Sequence, residues 1–143
     1  METAAVQAAR QVKLRASRIG VNSRRLYVLS EQNLDRIAAA IEKTAPCALI
    51  VDSIQTACSS AVDGEAGSIR QLREVSSELI RITKSRRLVS FLVGHITKDG
   101  AFAGPKSVEH LVDVALYLEG GRGEDVRFLR SVKNLAEKRL EEV

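Results

Sequence analysis

The stretch Ala48-Leu49-Ile50-Val51-Asp52-Ser53-Ile54-Gln55-Thr56 is the most informative part of this sequence. Its apolar residues predict a buried strand, and Asp52 follows them directly. Nucleotide-binding α/β enzymes place a carboxylate beside Mg²⁺ in this way, at the carboxyl edge of a strand. An acid at the end of a buried strand can also be a simple turn residue. The hydroxyl- and amide-rich run after Asp52 favours a ligand-binding edge.

The sequence does not contain the motif that usually binds phosphate beside such an acid, G-x-x-x-x-G-K-[ST]. The stretch from Gly100 to Ser107 resembles that motif only superficially. Pro105 stands where the second glycine belongs and has no N–H to offer a phosphate oxygen. The sequence therefore predicts half of a nucleotide-binding site.

Composition and length predict one globular domain over residues 1–143, since 45% of the residues are hydrophobic and 28% are charged. No apolar run is long enough to span a membrane. The N-terminus lacks the layout of a secretory signal, and Cys47 and Cys58 follow no metal-ligand spacing. We therefore expect a cytoplasmic protein without a membrane partner. The net charge of +4 permits a polyanionic partner without requiring one.

Hydrophobic periodicity predicts alternating helices and strands, followed by a hairpin. This order indicates an α/β sheet with helices on its faces, a parallel centre and an antiparallel C-terminal hairpin. The first predicted elements are a helix over the first 19 residues that Gly20 ends, a strand at 26–29, and a helix capped by Ser30 with Leu34, Ile37, Ala38 and Ile41 on one face. They are followed by a strand at 47–51, a helix from Ile69 to Thr83, a strand at 88–93, hairpin strands at 112–119 and 126–132, and a last helix to Val143 that Asn134 could cap.

Two further places carry candidate chemistry. His95 follows the strand after that of Asp52, where a polar side chain could sense a γ-phosphate, act as a general base or be purely structural. His110 is the only other histidine, which argues against a metal cluster. Lys98 and Lys106 lie in a glycine-rich loop, which is a good place to contact a phosphodiester.

Several motifs in order carry a resemblance to a known family. They are Gln11–Ala16, Leu49–Thr56, Phe91–Gly100, Ala103–Lys106 with Glu109–Asp113, and Leu129–Asn134. Together they resemble the RadA/Sms family of bacterial DNA-repair proteins over about residues 11 to 134. The ordered set is far more specific than any one motif.

The resemblance implies a RecA-like core of the P-loop NTPase type, which uses ATP and Mg²⁺ and acts on DNA as hexameric rings during recombination and branch migration. Asp52 would be the Walker B acid that binds Mg²⁺, and His95 would be the catalytic sensor. Ser53, with Lys133 and Asn134, would contribute to the cofactor site. The loops at about 53–67 and 97–107 would face DNA, the second through Lys98 and Lys106.

The chain also departs from the family pattern. The zinc module, the Walker A strand and loop and the Lon-like domain are missing, and Ala5–Ala8 replaces the run with the catalytic glutamate. Leu135–Glu137 replaces the end of the Lys-Asn-Arg-Phe-Gly motif. We therefore expect a truncated core without ATPase activity, which leaves open that it binds no cofactor. Two strands of the parent sheet are missing, so we expect its strands to pair in a new order or to exchange between protomers. The alternative is a non-enzymatic DNA-binding module, or a self-associating structural fragment or engineered scaffold.

Overall fold

The computed structural model describes residues 4–21, 23–95, 108–120 and 127–135, with side chains from residue 10 onward. A single turn of 3₁₀ helix at Ile54–Thr56 follows the first strand. The chain is a mixed α/β protein, as the sequence predicted. Its helices are α1 (Ala4–Arg18), α2 (Leu34–Thr44) and α3 (Ile69–Ser85), and its strands are β1 (Ala48–Asp52), β2 (Val89–Val93), β3 (Val114–Glu119) and β4 (Phe128–Asn134).

The end of α1 agrees with the prediction. Gly20 has a φ of 74°, in the left-handed region. Its N–H bonds the carbonyl of Ser17 at 3.2 Å, and the N–H of Val21 bonds that of Ala16 at 2.9 Å. This pair of bonds is a Schellman motif, in which a left-handed residue closes the last helical turn.

The start of α2 differs from the prediction. Asn33, and not Ser30, caps the helix, since its Oδ1 accepts the N–H of Arg36 at 3.1 Å. Leu34 follows immediately and is buried, whereas Ser30 is exposed. The apolar stripe begins at Leu34, so a helix begun at Ser30 would add a turn with nothing to bury. The predicted buried face of α2, which includes Ile37 and Ile41, is confirmed.

The prediction of a strand at 26–29 is wrong. This segment has no regular structure, and its four side chains are exposed. An apolar, β-prone run becomes a strand only where a neighbour supplies the ladder hydrogen bonds and a surface to pack on. Among the described residues, no strand pairs with 26–29.

Within the described residues, the four strands form two separate two-stranded sheets. β1 and β2 are parallel, with Asp52 opposite Val93. β3 and β4 are antiparallel, with a register shift between Ala115 and Leu116. The parallel pair and the hairpin were predicted, but the expected pairing in a new order is not found in the described part of the chain. Connectivity explains this result, because β1–α3–β2 is a crossover unit and β3–β4 is a hairpin, and each pair forms without a third strand.

The core lies between α2, α3 and one face of the parallel sheet. Side chains alternate along β1 and β2, so that Leu49, Val51 and Leu92 pack against the core. Ile50 and Phe91 point to the other face, where they are 68% and 57% exposed. The parallel sheet therefore has one covered face and one open apolar face. The buried apolar residues of the helices are Leu34, Ile37 and Ile41 of α2 and Leu72, Val75, Leu79 and Ile82 of α3.

Candidate functional site

The parallel pairing of β1 and β2 brings Asp52 and His95 together. Asp52 is the last residue of β1 and lies opposite Val93, so His95 follows two residues beyond that register position. Nε2 of His95 lies 3.8 Å from Oδ1 of Asp52, and both side chains are exposed. This distance is too long for a hydrogen bond, so the pair is an electrostatic contact that forms only when the histidine is protonated.

A hydrogen bond from Gln55 fixes the ends of the two strands relative to each other. Nε2 of Gln55 donates to the carbonyl of His95 at 3.0 Å. Ile54, which is buried, anchors the 3₁₀ turn that carries Gln55. Oε1 of Gln55 is buried and has no hydrogen-bond partner within the described residues. The sequence analysis placed Gln55 only within a polar run after Asp52. Nothing in that run indicated that Gln55 would bridge the two strands.

Ser53 and Asp52 are adjacent in sequence but differ in their exposure to solvent. The peptide bond between them is cis. Ser53 is buried, while the Asp52 carboxylate is exposed. The carbonyl of Ser53 accepts the Thr56 hydroxyl at 2.8 Å. The edge therefore presents the carboxylate of Asp52 and the imidazole of His95 to solvent, and a role for Ser53 in binding a cofactor stays a prediction.

The loop after the 3₁₀ turn is held by a buried glutamine of α3. Nε2 of Gln71 donates to the carbonyls of Ser59, Val62 and Gly64, at 3.0, 2.6 and 3.3 Å. Its Oε1 accepts the N–H of Ser59 at 2.8 Å. Sequence reasoning missed Gln71, although a glutamine within the apolar stripe of a helix is a usable signal because buried amides are normally hydrogen-bonded.

A second bridge connects this loop to the start of α2. The N–H of Cys58 donates to the carbonyl of Gln32 at 2.8 Å, and the N–H of Leu34 donates to the carbonyl of Cys58 at 2.9 Å. The hydroxyl of Ser60 donates to Asp35 at 3.1 Å. The loop predicted to face DNA at about 53–67 is thus tied to α2 as well as to α3.

Lys133 and Asn134 lie in the other sheet, on β4. Nζ of Lys133 donates to the carbonyls of Glu109 and His110, at 3.1 and 3.2 Å. Asn134 lies opposite Val114 in the hairpin. The structure therefore brings Asp52 and His95 together and places Lys133 and Asn134 in a different sheet. Their predicted contribution to a cofactor site stays a prediction.

A network of charged and aromatic side chains covers the hairpin. The hydroxyl of Tyr117 donates to Oε1 of Glu109. The guanidinium of Arg130 lies 5.5 Å from the Tyr117 ring centroid and bonds Glu119 at 2.6 Å. The hydrogen bond to Glu109, and then burial, raise the pKa of Tyr117 above its usual value. These contacts stabilise the hairpin and the turn at 108–112.

The described residues do not fit a self-sufficient site for Mg²⁺ and ATP. They contain no group of three or more His, Cys, Asp or Glu side chains that could hold a metal ion. Mg²⁺ in nucleotide enzymes is bound by one or two carboxylates together with the phosphates of the substrate, so the single carboxylate of Asp52 needs a held nucleotide beside it. The sequence contains no G-x-x-x-x-G-K-[ST] motif to hold one.

The remaining predicted site residues, Lys98 and Lys106, lie outside the described residues, as does the loop at 97–107. Among the helices described, none is long and apolar enough to cross a membrane. The described site is therefore a polar, exposed edge of a parallel strand pair in a mixed α/β protein, an arrangement typical of the ligand-binding edge of open α/β sheets.

Comparison with known proteins identifies the relatives of this chain. It is 45% identical over 128 residues to DNA repair protein RadA of Bacillus subtilis (strain 168), which is 90% of this chain and 28% of that protein. It is 44% identical over 128 residues to DNA repair protein RadA of Streptococcus pneumoniae (strain ATCC BAA-255 / R6), and 47% identical over 124 residues to that of Campylobacter jejuni. The chain is a homologue of bacterial DNA repair protein RadA over about nine-tenths of its length, which confirms the resemblance.

The chain spans just under a third of the length of these curated relatives, 28% to 30%. No protein-family model matches it.

Proposed function

We propose that this chain is part of the RecA-like ATPase core of a RadA-type protein of DNA repair and recombination, with the acidic strand and the sensor strand but without the phosphate-binding loop. The observation that supports it best is the contact between Asp52 and His95 at the carboxyl edge of β1 and β2, in a chain 45% identical to RadA. In this proposal Asp52 is the acid that would bind Mg²⁺ when phosphates are present, and His95 senses them.

The chain alone contacts DNA but does not hydrolyse ATP. Phosphoryl transfer depends on positioned donors and cations around the phosphates, and the sequence offers no loop of backbone N–H groups and lysine to provide them. DNA contact needs only exposed cations, which the described residues provide. Lys98 and Lys106, outside the described residues, are the candidates that the resemblance implies.

Nucleotide binding is tested by titration of the chain with a fluorescent, slowly hydrolysed ATP analogue and Mg²⁺, with Asp52→Asn and Asp113→Asn as matched variants. Asp113 is also an exposed acid, and its carboxylate pairs with Lys84 at 3.4 Å. We expect no binding at micromolar analogue for any of the three. Micromolar binding that Asp52→Asn abolishes and Asp113→Asn leaves intact would overturn the proposal that the chain alone has no nucleotide site.

DNA contact is tested by the fluorescence anisotropy of a labelled oligonucleotide over a range of salt concentrations. We expect weak binding that falls steeply with salt, since exposed cations bind DNA largely by counterion release. An anisotropy that stays at the value of free oligonucleotide at low salt would overturn the DNA-contact part of the proposal.

A second candidate is a self-associating structural fragment, which the open sheet faces favour. Ile50, Val89 and Phe91 are exposed on the parallel sheet, and Leu116 and Leu118 are exposed on the hairpin. Apolar patches of this kind favour association between copies, and so do open strand edges. Light scattering at several concentrations separates the candidates, because a chain that acts only as a DNA-binding monomer keeps one mass throughout.

A further inference from the structure

The first 30 residues of the chain carry its excess of positive charge. Six of the 22 Lys and Arg residues lie there, with one of the 18 acidic residues, Glu2. The other 113 residues hold 16 basic and 17 acidic residues and are close to neutral. Between Thr3 and Ser30 there is no acid at all. The modest net charge of +4 therefore conceals one strongly basic segment.

Five cations of this segment are exposed and, within the described residues, have no carboxylate partner. Lys13, Arg15 and Arg18 are exposed on α1, and Arg24 and Arg25 are exposed just beyond it. Within the described residues, none of these five is in an ion pair. Arginines that are in ion pairs include Arg36, Arg81, Arg86 and Arg130, which lie in other elements.

Hydrogen bonds hold the second group of cations in a turn. Oγ of Ser23 accepts the N–H of Arg25 at 3.2 Å, and the N–H of Leu26 donates to the carbonyl of Ser23 at 3.4 Å. This turn follows the Schellman motif that ends α1, so Arg24 and Arg25 lie within a few residues of the C-terminal end of the helix. The basic residues therefore extend from α1 into the turn after it and are not confined to the helix.

A groove of about 650 Å³ lies next to Lys13. Its lining is mostly apolar, and Lys13, Ser17 and Ser23 are its polar side chains. Lysine and serine are common phosphate ligands in protein–DNA contacts. Tyr27, two residues beyond Arg25, is 66% exposed and can stack on an unpaired base.

We propose that the segment from Lys13 to Tyr27, the basic segment, is a binding surface for the phosphate backbone of single-stranded DNA. The proposal rests on the proposed function in that DNA is the ligand, but it assigns the principal electrostatic contact to α1 and the turn after it, and not to Lys98 and Lys106. Each neutralised phosphate releases counterions, so these cations set the salt dependence of binding.

An anionic membrane is the competing ligand, because Val12 of α1 and Ile19, just beyond its end, are also exposed. A basic helix with an exposed apolar side is typical of membrane-surface binding. The off-helix position of Arg24 and Arg25 and the exposed Tyr27 favour DNA. The homology to DNA repair protein RadA supports the same choice.

The test is DNA binding by the full chain and four variants, measured by anisotropy with a labelled single-stranded oligonucleotide over a salt series. One of the four is K98E/K106E, and binding of the full chain to phosphatidylserine vesicles is measured in parallel. K13Q/R15Q/R18Q and R24Q/R25Q remove unpaired cations of the basic segment, and glutamine keeps helix propensity. R36Q/R81Q/R86Q is the matched control, because it removes the same charge as the first variant from residues paired with carboxylates. Far-UV circular dichroism checks that each variant is folded.

We expect K13Q/R15Q/R18Q to reduce the slope of log K against log salt by about 2, at about 0.7 for each lost phosphate contact to a single strand, and R24Q/R25Q to reduce it by about 1.4. The control should leave the slope unchanged. Equal slopes for the control and the first variant would overturn the proposal. Loss of binding only in K98E/K106E would also overturn it and would leave the proposed DNA contact intact. Tight binding to phosphatidylserine vesicles with none to DNA would overturn both.

Discussion

The carboxamide of Gln71 and the backbone of Ser59 form a reciprocal pair of hydrogen bonds, in which the amide accepts the N–H at 2.8 Å and donates to the carbonyl at 3.0 Å. Gln71 is 2% exposed. The same amide nitrogen bonds two further carbonyls of the loop, those of Val62 and Gly64. One side chain of α3 thus holds the loop that leaves the carboxyl edge of the parallel sheet.

Gln71→Leu should destabilise the chain by about 2–4 kcal/mol. Leucine has a similar volume but leaves the buried N–H and carbonyl of Ser59 unpaired, and each unsatisfied group costs about 1–3 kcal/mol. Equilibrium urea unfolding measures the change. Gln32→Ala is the control, because Gln32 is exposed and its side chain lies outside this network. A loss no larger than that of the control would show that the loop holds its shape without Gln71.

The corrected start of α2 gives a second prediction. Asn33→Ala should cost about 1 kcal/mol, because it removes the side-chain oxygen that accepts the N–H of Arg36. Ser30→Ala should cost close to nothing, since Ser30 lies outside the helix. Thermal or urea unfolding of the two variants under the same conditions decides between the sites. A larger effect at Ser30 would restore the cap that the sequence pattern suggested.

The sequence predicted those parts of the fold that depend on local patterns. The apolar stripes of α2 and α3, the glycine stop at Gly20 and the strand that ends at Asp52 all follow from side-chain periodicity and from backbone preferences of single residues. The segment at 26–29 has the composition of a strand, but strand formation needs a partner, which is a tertiary property. Sheet organisation was beyond local reasoning for the same reason, since pairing depends on which edges meet.

The candidate site shows the same division. Asp52 and His95 could be placed together because parallel neighbours end at the same sheet edge. The bridging role of Gln55 could not, because a hydrogen bond to a carbonyl 40 residues away depends on the path of the loop. The burial of the Gln71 amide could have been predicted from its position in an apolar stripe. Its hydrogen-bond partners on the loop could not have been predicted from the sequence.

The raised pKa of Tyr117 gives a prediction of pH dependence. A pKa that is higher in the folded chain means that the protonated phenol stabilises the fold. This contribution is fully present below the pKa of an unfolded tyrosine, about 10. It is lost as the pH rises through the folded value. The tyrosinate absorbance of Tyr27→Phe, which leaves Tyr117 as the only tyrosine, measures the folded pKa directly.

Glu109→Gln, in the same background, should lower the pKa of Tyr117, because the hydrogen bond to Glu109 is the largest cause of the shift. Glu119→Gln should change it less, since the charge of Glu119 is the smallest cause. An equal effect of the two substitutions would contradict the hydrogen bond as the main cause.

Lys133→Met should loosen the turn at 108–112. Nζ of Lys133 bonds the carbonyls of Glu109 and His110, and methionine keeps the length of the side chain without the charge. Because the lysine is only half-buried, we expect a loss of about 1 kcal/mol, at the low end for a charged hydrogen bond. Hydrogen exchange of the amides at 108–112 should become faster. Lys43→Met, at an exposed position at the end of α2, is the control and should leave these amides unchanged.

The second candidate function, self-association, assigns the contact between copies to the open face of the parallel sheet. Phe91→Glu should shift the chain towards monomer, because it places a charge at the centre of an apolar face that also contains Ile50 and Val89. Leu29→Glu is the matched control, since Leu29 is 57% exposed, as Phe91 is, but lies outside both sheets. Light scattering coupled to size exclusion gives the mass of each variant over a concentration series. If the control dissociates the chain as far as Phe91→Glu does, association runs through the surface near Leu29 or through charge alone, and the sheet face is not the interface.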